Sequence, residues 1–199
     1  DDGHRDELRA HRAARGRADP MTLELFANAD LAGAPIGTQT APNSEAQWIG
    51  TWPPGIARGQ VFSARATLRY VADADGEHAF FLFSSGRSRA KLNAASVLDA
   101  WTRWQRGDTY FTYGCNEVVH RRAMRAGEVA ELVVEFSSAV PAHDGEAPHD
   151  FAALRVGAAR ILGEGDIAAA VDAARAADVA IVFAGLNAEW DNEGLDRPG

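Results

Sequence analysis

Four carboxylates crowd into eight residues close to the C-terminal end of the sequence: Glu189, Asp191, Glu193 and Asp196. Trp190 lies among them and Arg197 follows. Carboxyls in pairs suit acid/base chemistry of the kind that cleaves a glycosidic bond. One gives its proton to the leaving oxygen while the other attacks or activates water. The acid must hold its proton near neutrality, which burial and neighbouring negative charge both favour. Trp190 offers a flat apolar face suited to a sugar ring. From spacing alone a solvated acidic loop remains the plainer reading. Glu189, Asp191, Glu193 and Gly194 also imitate the first half of an EF-hand loop, but an apolar run precedes them where that motif has a helix. The six histidines show no ligand spacing, so no metal is expected.

The elements that would position this loop come next. Residues 179–184 (Val-Ala-Ile-Val-Phe-Ala) read as a strand apolar on both faces, as in a parallel sheet covered by helices. Ligand sites in open α/β sheets form in the loops after such strands. An alanine-rich helix precedes it, with Asp166 as its expected N-cap and Ile167, Ala170, Val171 and Ala174 on one face. Residues 151–156 form a further apolar strand. Residues 151–199 thus read as a βαβ piece of an α/β domain, too small to fold alone.

Residues 20–140 have another texture. Runs 22–26, 61–71, 78–84 and 129–136 read as strands, and 89–93 with 96–99 as a hairpin across Ala94-Ala95. Gly, Pro and Asp turns separate them, which argues for an antiparallel β-sandwich. Residues 141–150 are polar and breaker-rich, a linker. Residues 1–19 are rich in Arg and Ala, a linker or tail.

Hydrophobic residues make up 46% of the chain, enough for a core. The net charge of -8 argues against a nucleic-acid partner, whose phosphates need a basic face. No apolar stretch is long enough for a membrane span, and no Gly-rich phosphate motif points to a nucleotide cofactor. Cys115 is the only cysteine, so no internal disulfide is expected, and its neighbours suit a small buried residue. With no signal peptide in view, the expected location is cytoplasmic. Lys91 is the only lysine among twenty basic residues, a bias that suggests a GC-rich bacterial source. The start without methionine is expected of a fragment, a processed chain or a truncated gene model. The sequence leaves a homo-oligomer open.

Residues 177–198 resemble the α/β-sandwich domain of glycoside hydrolase family 3 β-glucosidases. That pattern is a buried strand, Gly-Leu/Thr-Asn, then Trp-x-x-Glu-Gly-x-Asp-Arg. It is matched at Gly185, Asn187, Trp190, Glu193, Gly194, Asp196 and Arg197. Residues 154–157 resemble the preceding strand of the same domain. Residues 75–86, 90–93 and 97–101 are similar to the protective-antigen-type (PA14) β-sandwich, which occurs as an insert in the same family. The two resemblances together cover residues 20–199.

The resemblance implies a retaining β-glucosidase in which Glu193 is the acid/base, Trp190 contacts substrate, and Asp196 and Arg197 shape the loop. It implies that Tyr110 and Phe111, on a Gly-rich stretch, line the substrate site, although packing in the sandwich competes for each ring. The substrate would be a β-glucoside or oligosaccharide. Two departures stand out. The hairpin reads Leu92-Asn93-Ala94 where the family has Leu-Asp-Gly, and the paired aspartates of calcium-binding lectin members are absent. The upstream barrel with its Ser-Asp-Trp nucleophile motif is absent too, so the chain by itself is expected to be inactive. A non-catalytic carbohydrate-binding module is the alternative.

Overall fold

The computed structural model describes residues 20–41, 43–107, 109–110, 113–140 and 151–182. Ten strands and one helix follow in chain order. They are β1 (Met21–Phe26), β2 (Gly37–Ala41), β3 (Glu45–Ile49), β4 (Ser63–Val71), β5 (Gly76–Ser85), β6 (Arg87–Leu92), β7 (Ala95–Ala100), β8 (Val118–Met124), β9 (Val129–Ser137), β10 (Phe151–Arg160) and α1 (Glu164–Ala176). The strands make two antiparallel sheets: a six-stranded one ordered β2-β1-β4-β9-β6-β7 and a four-stranded one ordered β3-β10-β5-β8. This is the antiparallel sandwich expected.

Alternation decides which face of each strand goes inward. Along β4, Ala64, Ala66, Leu68 and Tyr70 point into the core, while Thr67, Arg69 and Val71 face out. Their inward partners on β9 are Ala130, Leu132, Val134 and Phe136. Trp48 closes one end of the core, stacked on Phe136 at 5.6 Å and edge-on to Phe62 at 4.9 Å. Its buried indole N–H still needs an acceptor and donates to Gln39 Oε1 at 3.0 Å.

The hairpin turn between β6 and β7 falls on Asn93-Ala94, one residue before the expected Ala94-Ala95. Both residues have positive φ, 46° and 71°, as a two-residue turn with the twist of its strands requires. Asn93 tolerates this region, and its side chain accepts the Glu131 N–H at 2.9 Å. Ala94 has no such help, and it sits where the family pattern places glycine.

β10 corrects the expected domain boundary. Residues 151–160 are not the first strand of an α/β unit. They fill the gap between β3 and β5, with Phe151–Arg155 antiparallel to β3 and Ala153–Arg160 antiparallel to β5. The sequence misleads because a strand covered on both faces is apolar throughout, whether its sheet is parallel or antiparallel. The second face here is covered by the stretch between β7 and β8. β5 shows the same effect, being buried at every position from His78 to Ser85. Gly157 lies opposite Phe81, and a Cβ at that position would overlap the Phe81 ring. The glycine lets the ring lie flat over the strand.

The helix begins earlier than a cap at Asp166 would allow. Gly163 is the N-cap, and Asp166 is the third helical residue, where its carboxylate accepts the Gly163 N–H at 2.8 Å. It also pairs with Arg160 Nη2 at 2.6 Å. α1 buries no residue: Ile167 is 66% exposed and Val171 42%. Residues 179–182, expected as a buried strand, are not in a strand, and Val182 is 83% exposed. The expected βαβ unit is therefore not assembled among the described residues. Its first strand belongs to the sandwich, and the described part of the rest, α1 and residues 177–182, lies against no sheet among the described residues. No helix among the described residues is long and apolar enough to cross a membrane.

Candidate active-site wall

Five of the residues singled out from sequence, namely Glu193, Trp190, Asp196, Arg197 and Phe111, lie outside the described residues. The sixth, Tyr110, belongs to the stretch between β7 and β8 that covers the outer face of the four-stranded sheet. That face carries Phe81 and Phe83, and with Ala100 and Cys115 they form a second apolar cluster against Trp104, Tyr110, Val118 and Val119. Cys115 is fully buried there, as a small apolar residue.

The covering stretch is held by its own backbone. Gly107 N–H donates to Gly114 O at 2.9 Å, Asn116 N–H to Gln105 O at 2.8 Å, and Cys115 N–H to Ser84 O at 2.9 Å. Gly114 has no room for a side chain, since a Cβ would overlap the Thr109 hydroxyl. Trp104 Nε1 donates to Gly86 O at 2.9 Å, which ties the start of the stretch to the β5–β6 turn.

Asp99 anchors the same start. Its Oδ1 accepts the N–H groups of Trp101 and Thr102, each at 2.9 Å, and Oδ2 takes the Thr102 hydroxyl. Burial acts to raise its pKa. The Thr102 hydroxyl, the two N–H groups and the Arg103 charge outweigh that and hold the Asp99 carboxyl below the usual carboxylate range. The Trp101 ring lies under the Arg89 guanidinium at 4.8 Å, and Trp101 O accepts from Arg87 Nη1 at 2.6 Å. Both residues do structural work here.

Tyr110 is packed as well. Its ring contacts Phe83 at 5.4 Å and Phe151 at 5.5 Å, and its hydroxyl donates to Glu45 Oε1 at 3.2 Å. Each such aromatic pair contributes roughly 0.5–1.5 kcal/mol beyond the area it buries. Tyr113 lies farther out, 6.5 Å from Phe151 and 41% exposed. Among the described residues of the covering stretch, it is the aromatic ring turned toward solvent. Arg155 of β10 lies over the other side of the patch, 5.7 Å from the Phe83 ring. Glu45, Phe151 and Arg155 escaped the sequence reading of this site because they come from strands missed or assigned elsewhere. Among the described residues, no three His, Cys, Asp or Glu side chains come together to hold a metal ion.

An antiparallel two-sheet sandwich with an aromatic patch on its outer face defines the class of module. Comparison supplies the rest. The chain is 33% identical over 180 residues to a β-glucosidase of Rhizobium radiobacter, covering 89% of this chain and 21% of that protein. It is 30% identical over 196 residues to a probable β-glucosidase H of Aspergillus oryzae, covering 89% of this chain and 23% of that one. The β-glucosidase of Kluyveromyces marxianus, solved in complex with glucose, shares the fold. Its TM-score is 0.77 at 20% identity, over 92% of this chain and 24% of that one. No family model matches. The chain belongs with the glycoside hydrolase family 3 β-glucosidases, and it spans about a fifth of the length of the curated relatives it matches.

Proposed function

We propose that the chain is the sandwich-bearing segment of a retaining β-glucosidase that removes terminal β-D-glucosyl residues. The observation that carries this is the 33% identity to the Rhizobium radiobacter enzyme, sustained over 89% of the chain. In this reading Glu193 protonates the glycosidic oxygen and then activates water against the glycosyl-enzyme. The nucleophile comes from outside these residues, so the chain alone is inactive. Trp190 contacts the sugar, Asp196 and Arg197 shape the loop, and the stretch bearing Tyr110 and Phe111 forms a wall of the substrate site.

The exposed apolar side chains of α1 and residues 179–182 support the companion reading, that this segment packs into an α/β domain completed by further chain. Ile167 at 66%, Val179 at 75% and Ile181 at 76% exposure are side chains that a finished domain covers.

A segment exchange tests the proposal. This chain replaces its aligned segment in the Rhizobium radiobacter enzyme, and hydrolysis of an aryl β-glucoside is measured. The hybrid is expected to be active, and Glu193→Gln to remove most of the activity while the hybrid stays folded. Full activity in Glu193→Gln, or turnover by the 199-residue chain alone, would overturn it.

A further inference from the structure

β10 runs the length of the four-stranded sheet, and its two ends have different partners. At the first end the Phe151 ring meets Tyr110 at 5.5 Å and Tyr113 at 6.5 Å, so the strand supports the covering stretch. At the last end the Arg160 guanidinium donates to Asp166 Oδ1 at 2.6 Å and holds α1. Ten residues at about 3.3 Å each put about 30 Å between these two ends.

The grip at the Arg160 end is made from both sides. Only Ile161 and Leu162 separate β10 from the Gly163 cap of α1. The Ile161 N–H donates to Glu77 O at 2.8 Å and carries the pairing with β5 one residue further. The Arg160 stem lies beside Gly76, and its charge is felt by Asp73 in the turn between β4 and β5. From the helix, one oxygen of Asp166 takes the guanidinium and the other the Gly163 N–H. A single carboxylate thus ties the last residue of the sandwich to the first turn of α1. This pair is half-buried, whereas the ion pair of Arg175 with Asp172 is exposed and stays within the helix. α1 has no buried side chain, so among the described residues its direction of departure rests on this clamp.

We propose that Arg160 is a positioning residue for the glycosidase reaction: it fixes the tilt of β10 on α1, and so the place of the Tyr110-bearing wall relative to the acid/base loop that follows α1. A strand about 30 Å long is a lever, and a tilt of about 10° at Arg160 moves Phe151 by about 5 Å. That is more than productive substrate contacts tolerate. The effect on substrate rests on the β-glucosidase reading; the clamp itself does not.

Two measurements test this. In the segment-exchanged enzyme, Arg160→Ala is expected to raise KM for cellotriose, long enough to reach the wall, about two- to fivefold. The kcat stays as it was, and methyl β-glucoside, too short to reach, is hydrolysed as by the parent. Arg160→Lys recovers most of the difference. Asp166→Asn gives a smaller rise, since Asn still accepts the Gly163 N–H, and Arg175→Ala gives none. In the isotope-labelled 199-residue chain, residual dipolar couplings of residues 161–166 are expected to share one alignment with the sandwich. In Arg160→Ala they depart from it, with an unchanged melting curve. An equal KM rise for both substrates, no rise for cellotriose, or couplings that keep the shared alignment in Arg160→Ala would overturn the proposal. A parent hybrid without activity would instead sink the β-glucosidase reading, and the couplings then decide the clamp. If Arg160→Ala does not fold, Asp166→Asn decides by the same two measurements.

Discussion

β10 and α1 are neighbours in sequence with similar alanine-rich composition and opposite fates. In β10, Ala152, Ala153, Leu154, Val156, Ala158 and Ala159 are all buried. In α1 nothing is. Composition does not separate the two; available partners do. β10 enters a gap between β3 and β5 and is covered on both faces, whereas the described residues offer α1 no surface to cover. An apolar segment left bare is a segment whose partner lies elsewhere, which is the structural support for placing α1 in a larger enzyme.

The contrast can be broken most forcefully in the core. Leu154→Ala in β10, where the side chain is 1% exposed, is expected to cost about 2–5 kcal/mol. Ile167→Ala in α1 is expected to stay within roughly 0.5 kcal/mol. Urea unfolding of the 199-residue chain checks both, and equal losses would mean that α1 is packed after all. Gly157→Ala forces a methyl into the Phe81 ring and is expected to cost roughly 1–3 kcal/mol, read as a lower melting temperature. A neutral result would show that the ring is free to move away.

The smallest effect lies at the junction. The Arg160 side chain, then the Gly163 N–H, hold the Asp166 carboxyl below the usual carboxylate range. A depressed folded value means that the stabilisation is present above the unfolded value, about 3.9. It is lost as pH falls through the lower folded one. Asp166→Asn is therefore expected to fray the first turn of α1 at neutral pH, with the difference from the parent vanishing in acid. The helical circular-dichroism signal follows this, and a difference that persists in acid would remove the ion pair from the account.

Much of the sandwich was legible because solvent faces only one side of many of its strands. β1, β4 and β9 alternate cleanly, and the sequence marks them. β8 was missed because its residues are half-buried and charged, with Arg121 near Glu77 at 3.7 Å and Arg122 paired with Glu128. No apolar period survives in such a strand. β2 is polar and sits at an edge, and β3, short and also at an edge, has a single large buried side chain, Trp48. The site was read in part. The aromatic content of the covering stretch was visible, but what each ring does depends on partners 27 to 65 residues away, Phe83, Phe151 and Glu45. Among the described residues, Tyr110 is a clamp and Tyr113 the exposed ring, a distinction that local sequence does not encode.

Hydrogen exchange compared between the isolated chain and the segment-exchanged enzyme tests the central claim most directly. The amides of residues 153–160 are expected to be protected equally in both, because β10 is complete within the sandwich. Those of residues 167–176 are expected to exchange fast in the isolated chain and slow sharply in the enzyme, where α1 finds its partner. Fast exchange in β10 alone, or the same fast exchange of α1 in the active hybrid, would contradict the account.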